Sequence, residues 1–276
     1  MAEHEVRVDR GAVSTVTMSN PPRHTMTAAM VTGLDAAVAS LEDDEAVRVV
    51  VLTGGGDGVF IAHYEVNELA SSAERQRARA ESTGAPDATP TGDARARLHP
   101  LNRVMRRLES MPKITIAAMN GNAAGGGFEL ALACDFRLLA DGPFRVGLPE
   151  TGVGIIPGAG GTQRLTHLLG VARALDLILH GTRMTPAEAH ALGLVSRLLP
   201  IESFHDDVAA FAATLARRAP IALAAAKESI RCGVELPIDD GLLLEQQLFN
   251  RCMRSEDAAG AMRAALEGRG YDFHGR

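Results

Sequence analysis

The sequence predicts an α/β fold: a core of alternating strands and helices followed by a helical C-terminal part. Two observations carry this expectation. Apolar, β-branched runs alternate with helical patterns through the first half of the chain, and from Gly161 onward the periodic segments are nearly all helical. A chain of 276 residues with 46% apolar content is long enough for one large domain or two modest ones. With no Trp and only 4% aromatic residues, its core must be aliphatic.

The elements follow in order. Residues 12–18 alternate Val13, Thr15 and Thr17 with Val16 and Met18, the period of a strand. Thr27 is placed to cap a helix running to Leu41. Residues 47–52 are continuously apolar apart from Arg48, as in a buried strand. The glycines at 54–58 follow that strand, yet lack the G-x-G-x-x-G register of a dinucleotide site, and residues 59–62 read as extended rather than helical. Residues 114–118 form another strand, with a short helix from Gly127 to about Ala133. Residues 136–139 and 144–146 read as two more short strands. Beyond Gly161, helices are expected over 171–179, 186–192, 204–216, 221–232, 241–252 and 255–267, with Pro186 in the first-turn position after Thr185.

The segment 70–97 stands apart. It has few large apolar residues, and its middle, 82–93, is rich in Gly, Pro, Asp and Thr, as in a turn-rich loop or insertion. Arg75, Arg77, Arg79, Arg95, Arg97, Arg103, Arg106 and Arg107 make this part of the chain locally basic. Two readings stand: a solvated helix surface interspersed with Glu74, Glu81 and Glu109, or a rim for an anionic ligand.

Several function classes are disfavoured. The net charge of −6 gives no general attraction to nucleic acid or an anionic membrane. The N-terminus lacks a basic start and an apolar stretch, and no run of about 18 apolar residues occurs. Cys134, Cys232 and Cys252 are scattered, which suits a reducing compartment, and the cytoplasm is the expected location. The nine histidines form no metal-binding pair on a clear helix, so no metal is expected.

Chemistry concentrates on two glutamates. Glu129 follows the Gly125-Gly126-Gly127 turn, and Glu150 ends Gly147-Leu148-Pro149-Glu150, ahead of the glycines at 158–161. The triple glycine has two explanations: close packing of a strand-to-helix junction, or N–H groups at a helix start aimed at a developing negative charge. The helix carrying Glu129 is apolar nearly all round and should be buried, and a buried carboxylate needs a reason. The apolar residues Leu148, Pro149, Val153, Ile155 and Ile156 suggest burial of Glu150 as well. Two buried acids beside glycine turns favour a site.

The run Asn120-Gly121-Asn122-Ala123-Ala124-Gly125-Gly126-Gly127-Phe128-Glu129-Leu130 resembles the signature of the crotonase (enoyl-CoA hydratase/isomerase) superfamily. So do Gly147-Leu148-Pro149-Glu150 and Pro157-Gly158-Ala159-Gly160-Gly161-Thr162-Gln163-Arg164-Leu165. Asn20-Pro21-Pro22-Arg23 is similar to the family's first coenzyme-A loop, and the resemblance runs from about Val6 to Phe273. It implies a crotonase-like spiral of ββα units over 1–200, with a helical C-terminal region over 201–276 that serves oligomerisation and covers the active site. It further implies an acyl-CoA thioester as substrate, no cofactor beyond the coenzyme A that the substrate carries, and a homotrimer or dimer of trimers.

Residue by residue, the resemblance places two backbone oxyanion donors at Tyr64 and Gly126. It places catalytic carboxylates at Glu129, to deprotonate water, and at Glu150, to supply the Cα proton. It implies coenzyme-A or substrate contacts at Arg23, Ala62, His63, Glu65, Val66 and Gly125. The chain departs from the pattern at Ala62-His63-Tyr64-Glu65, where family hydratases usually carry Ala-Gly-Ala-Asp. His63 in place of glycine would be strained at any positive φ. Hydration of a 2-enoyl thioester is the leading expectation. Double-bond isomerisation or another crotonase reaction, and acyl-CoA binding without turnover, are the alternatives.

Overall fold

The structure, a computed structural model, describes residues 5–83 and 98–276. β1 (Glu5–Asp9) and β2 (Val13–Ser19) pair antiparallel. α1 (Ala28–Glu42) begins where the Thr27 hydroxyl accepts from the Met30 N–H. β3 (Val49–Gly54) lies parallel to β2 and is buried throughout, as its valine run dictates. The chain turns through glycines into β4 (Gly58–Ile61), then runs through α2 (Val66–Thr83) and α3 (Pro100–Ser110). The pattern repeats as β5 (Ile114–Met119), β6 (Gly121–Ala124) and α4 (Gly126–Ala133). It repeats again as β7 (Phe136–Asp141) and β8 (Val146–Gly147), closed by a 3-10 turn over Glu150–Val153.

In each repeat the first strand joins one sheet and the second strand joins another. The sheet orders are β1-β2-β3-β5-β7-β10 and β4-β6-β8-β9, which gives a spiral of ββα units. The remaining elements are α5 (Gly161–Leu169), α6 (Val171–Leu179), β9 (Arg183–Met184), α7 (Pro186–Ala191) and β10 (Arg197–Pro200). The C-terminal helices are α8 (Phe204–Ala216), α9 (Pro220–Gly233), α10 (Ile238–Met253) and α11 (Glu256–Leu266).

The corners between repeats are stitched by asparagines. Asn120 donates from Nδ2 to the Gly56 carbonyl at 2.8 Å and accepts at Oδ1 from the Gly54 N–H at 3.1 Å. Asn122 accepts from the Arg145 N–H at 2.8 Å and donates to the Gly58 carbonyl at 3.2 Å. A Cβ on Gly121 would fall on the Gly58 carbonyl, so only glycine lets successive turns stack.

The six-stranded sheet is apolar on both faces. Val50, Leu52, Ala117 and Leu139 join α1, α3 and α4 in the larger core. Val49, Val51, Ile116 and Leu138 face Phe204, Val208 and Ala212 of α8. Each large side chain so buried stabilises the fold by about 1.5–3 kcal/mol. α4 is buried at all eight positions, as its apolar sequence required.

Some expectations need correction. The strand expected over 144–146 is only Val146–Gly147, because Phe144 still belongs to the preceding turn, its N–H donating to the Gly142 carbonyl at 2.7 Å. Segment 70–97 begins within α2, which extends to Thr83 with a polar, exposed surface, so the turn-rich loop expected over 82–93 does not include Ser82 and Thr83, and 84–97 lies outside the described residues. Arg77 pairs with Glu81 on α2, and Arg106 and Arg107 of α3 pair with Glu109 and Glu42. Those three arginines therefore follow the ion-paired helix-surface reading. Among the described residues no single helix is long and apolar enough to cross a membrane.

Candidate active site

The expected oxyanion donors lie side by side. In the parallel bridge between Met26 and Tyr64, the Met26 N–H donates to the His63 carbonyl at 2.8 Å, and the Glu65 N–H donates to the Met26 carbonyl at 2.8 Å. Extended backbone alternates the direction of its polar groups, so the Tyr64 N–H points away from Met26. Gly126 is the first residue of α4, where a backbone N–H has no intrahelical acceptor. A Cβ on Gly126 would stand 3.7 Å from Tyr64 Cβ and Cδ2 and 3.5 Å from Leu101 Cδ2. Gly125, with φ +51° and ψ −129°, makes the sharp entry to the helix. Its conformation belongs to glycine.

Glu129 lies in the first turn of α4 and is 2% exposed. Its Oε1 accepts from the Ala159 N–H at 2.8 Å and the Gly161 N–H at 2.7 Å, leaving Oε2 for another partner. Burial pushes its pKa up, while the two amides and the Arg164 cation pull it part of the way back. A Cβ on Gly161 would come within 2.9 Å of Glu129 Oε1, so glycine lets this amide approach.

Glu150 opens the 3-10 turn, and its Oε2 is buried without a hydrogen-bond partner. Its Oε1 lies 3.1 Å from where a Cβ on Gly125 would sit. Burial, then the charge of Glu129, push its pKa up to about 7. The two carboxyls are thus electrostatically coupled on either side of the Gly125 corner. The expected burial of Glu150 is corrected: the residue is half-buried, because of its apolar neighbours Leu148 is buried while Val153 and Ile156 are 70% and 66% exposed.

The other expected residues sit around this pair. Arg23 is exposed on the loop before α1, and its charge acts on Glu65. The Ala62 N–H donates to the His24 carbonyl at 3.0 Å. Glu65 is tied into the fold: Oε2 accepts from Thr25 Oγ1 at 2.9 Å, and Oε1 accepts from the Asn67 side chain at 3.1 Å. The Thr25 bond leads the causes that lower its pKa. Val66 is exposed at the start of α2.

His63 is not strained. Among the described residues the non-glycine position at positive φ is His24, at 51°. The His63 ring nitrogen Nδ1 lies 2.7 Å from the Tyr64 carbonyl oxygen, so it carries the proton and donates there. The Tyr64 ring turns toward α3, edge-on to His99 with centroids 6.1 Å apart. Burial first, then Glu68, raise its hydroxyl pKa to about 12.

Sequence reasoning missed His99, Leu101, Glu68, Glu109 and the role of Arg164. Nothing in the local patterns marked α3 as a neighbour of Tyr64, since a contact so distant along the chain leaves no spacing signal. Arg164 had been read only as part of a motif.

The family model described as enoyl-CoA hydratase/isomerase matches residues 9–276. The chain is 33% identical to the short-chain-enoyl-CoA hydratase of Clostridium acetobutylicum over 260 residues, 94% of this chain and 93% of that protein. It is 32% identical to the crotonyl-CoA hydratase of Syntrophomonas wolfei over 86% of this chain and 84% of that one. The crystal structure of enoyl-CoA hydratase from Bacillus anthracis superposes with a TM-score of 0.86 at 33% identity, covering 98% of this chain and 99% of that one.

Proposed function

Because this chain belongs to the enoyl-CoA hydratase/isomerase family, we propose that it is an enzyme adding water across the double bond of a 2-enoyl-CoA. One observation carries the reading: two coupled carboxyls, Glu129 and Glu150, flank the corner from which the Gly126 N–H emerges.

The thioester oxygen accepts from the N–H groups of Tyr64 and Gly126. As charge gathers on that oxygen, each donor contributes about 3–4 kcal/mol to the transition state. Glu129, held by two amides, takes a proton from water through its remaining oxygen, and the water oxygen bonds to Cβ. Glu150, its pKa raised to about 7, keeps a substantial protonated fraction at neutral pH and delivers that proton to Cα. The product is a 3-hydroxyacyl-CoA, and the two carboxyls have exchanged protonation states. A proton returned from Glu129 to Glu150 through solvent restores the resting form.

Arg23, Ala62, His63, Glu65, Val66 and Gly125 border the path of the coenzyme-A thioester. No cofactor enters beyond the coenzyme A of the substrate. Residues 1–200 form the catalytic spiral; 201–276 cover the site and join subunits into a trimer or dimer of trimers. The three free cysteines suit the cytoplasm.

The test is an assay with trans-2-enoyl-CoA thioesters of several chain lengths, following loss of the enoyl absorbance and formation of 3-hydroxyacyl-CoA. Hydration of at least one supports the reading. Migration of the double bond without hydration makes the enzyme an isomerase, and calorimetric binding without any product makes it an acyl-CoA-binding protein. Glu129→Gln and Glu150→Gln should each lower turnover about a hundredfold or more.

A further inference from the structure

The proposed base depends on a segment that has little structure of its own. Ala159 and Gly161, whose N–H groups hold Glu129 Oε1, lie in the turn before α5 and at its first residue, and Gly160 between them caps the helix at φ +95°. That turn is fastened by one side chain in particular. Arg164 donates from Nη1 to the Ala159 carbonyl at 2.8 Å and from Nε to Glu109 Oε1 at 2.6 Å. Both side chains are largely shielded, 12% and 8% exposed. On α3, Asn102 adds a weaker bond to the Gly158 carbonyl at 3.3 Å. Glu109 is itself fixed: its Oε2 accepts from Arg106 at 2.7 Å, and Arg231 of α9 approaches Oε1 at 4.0 Å.

A continuous polar chain therefore runs from Glu109 on α3, through Arg164 on α5, to the Ala159 turn, and from that turn to the Glu129 carboxylate on α4. We propose that Arg164 and Glu109 are positioning residues for Glu129: they fix the two amides that aim its free oxygen at the attacking water. The inference rests on the reading of Glu129 as the base.

Burial makes this arrangement consequential. A charge-assisted bond in a shielded site is short and directional, and a misplacement of about 1 Å at reacting groups costs on the order of a hundredfold in rate. Arg164 also acts as a charge. The groups facing Glu129 are Arg164 from α5 and Glu150 from the 3-10 turn, while Glu109 stands behind Arg164 on α3. Arg164 favours the ionised form of Glu129, and Glu150 is the opposing neighbour.

The experiment compares Arg164→Gln, Arg164→Lys and Glu109→Gln with the parent in the full chain, reading kcat, KM and the pH profile of enoyl-CoA hydration. Arg164→Gln should lower kcat about tenfold or more with KM little changed. Its acid limb should move up by about one pH unit, since the cation that stabilised ionised Glu129 is gone. Arg164→Lys keeps the charge but loses the two-pronged geometry, so its kcat falls while the acid limb stays. Glu109→Gln keeps its shape and should lower kcat by releasing Arg164.

Parental kcat and parental acid limb in Arg164→Gln, in protein with the parent's melting profile, would overturn the proposal. Should that variant fail to fold, parental kcat in both Arg164→Lys and Glu109→Gln overturns it instead. Glu129→Gln is measured alongside. If it is inactive while the Arg164 variants are normal, positioning alone fails. If it turns over at the parental rate, the base assignment fails as well.

Discussion

At the scale of single residues, Glu150 decides how the site answers to pH. Its ordinary value of 4.5 is raised to about 7 by burial and then by the charge of Glu129. The folded protein thus favours the neutral acid. The stabilising contribution is fully present below the unfolded value of 4.5 and is lost as pH rises through about 7. Glu150→Gln keeps the shape and removes the charge, so at about pH 8 it should melt higher than the parent, and the gap should close near pH 5. Each kcal/mol gained moves the midpoint by roughly 2–4 °C. Thermal unfolding at the two pH values checks this, and equal melting at the higher pH would remove burial as the cause of the shift. The same group, as proton donor, should make kcat/KM fall above about pH 7, with the apparent value belonging to the pair rather than to Glu150 alone. Gly125 is the second sensitive residue. Gly125→Ala places a Cβ at φ +51° and 3.1 Å from Glu150 Oε1. It should cost about 1–3 kcal/mol in denaturant titrations and displace the proposed acid. Both glutamates were legible in the sequence because a carboxyl among glycines and apolar residues is conspicuous. His63 escapes the strain that a positive φ would bring, because φ depends on the path of the whole loop, and that path puts the positive value at His24.

At the scale of elements, legibility followed the strength of local signals. α1 was found at its true start because Thr27 precedes a clean apolar stripe. α7 was found from Thr185 followed by Pro186, and its capping box is complete: Thr185 Oγ1 accepts from the Glu188 N–H, and Glu188 returns the bond to the Thr185 N–H. Thr185→Ala should therefore cost about 0.5–2 kcal/mol in chemical denaturation. A loss under a few tenths would mean that packing alone sets this helix start. α2 is left open between a solvated helix surface and a ligand rim because it is polar on nearly every side and offers no apolar stripe. α5 was missed because it starts at glycines with no capping side chain, since close approach of the Gly161 amide to Glu129 takes precedence over propensity there. β6 was hidden for a related reason: Gly121-Asn122-Ala123-Ala124 has poor strand composition but must pass close to the preceding turn. In α5 and β6 the local rule gives way where the backbone must pass close to a neighbouring segment.

At the scale of the whole molecule, the spiral brings Tyr64, Gly126, Glu129 and Glu150 together from segments far apart in the chain. Alternation of strands between two sheets cannot be read from periodicity, because strands buried on both faces look uniformly apolar. The helical C-terminal part was legible, but its outer surface is unusual. Ile230 and Val234 at the end of α9, and Ile238, Leu242, Leu243 and Phe249 of α10, are all exposed. Isolated exposed apolar residues are ordinary, whereas a concentration of them along two packed helices marks a surface built to be covered. The proposed trimer or dimer of trimers would cover it with copies of the same chain, since closed symmetry uses one patch on every subunit. Light scattering coupled to size exclusion should give a mass of three or six chains. Ile238→Asp combined with Leu242→Asp places charges on that surface without touching the core of the spiral, so it should shift the mass toward the single chain while leaving the far-ultraviolet circular dichroism unchanged. If these helices also cover the site, turnover should fall together with the mass. Parental mass in the double variant would place the interface elsewhere, and a single-chain mass for the parent would remove the assembly altogether.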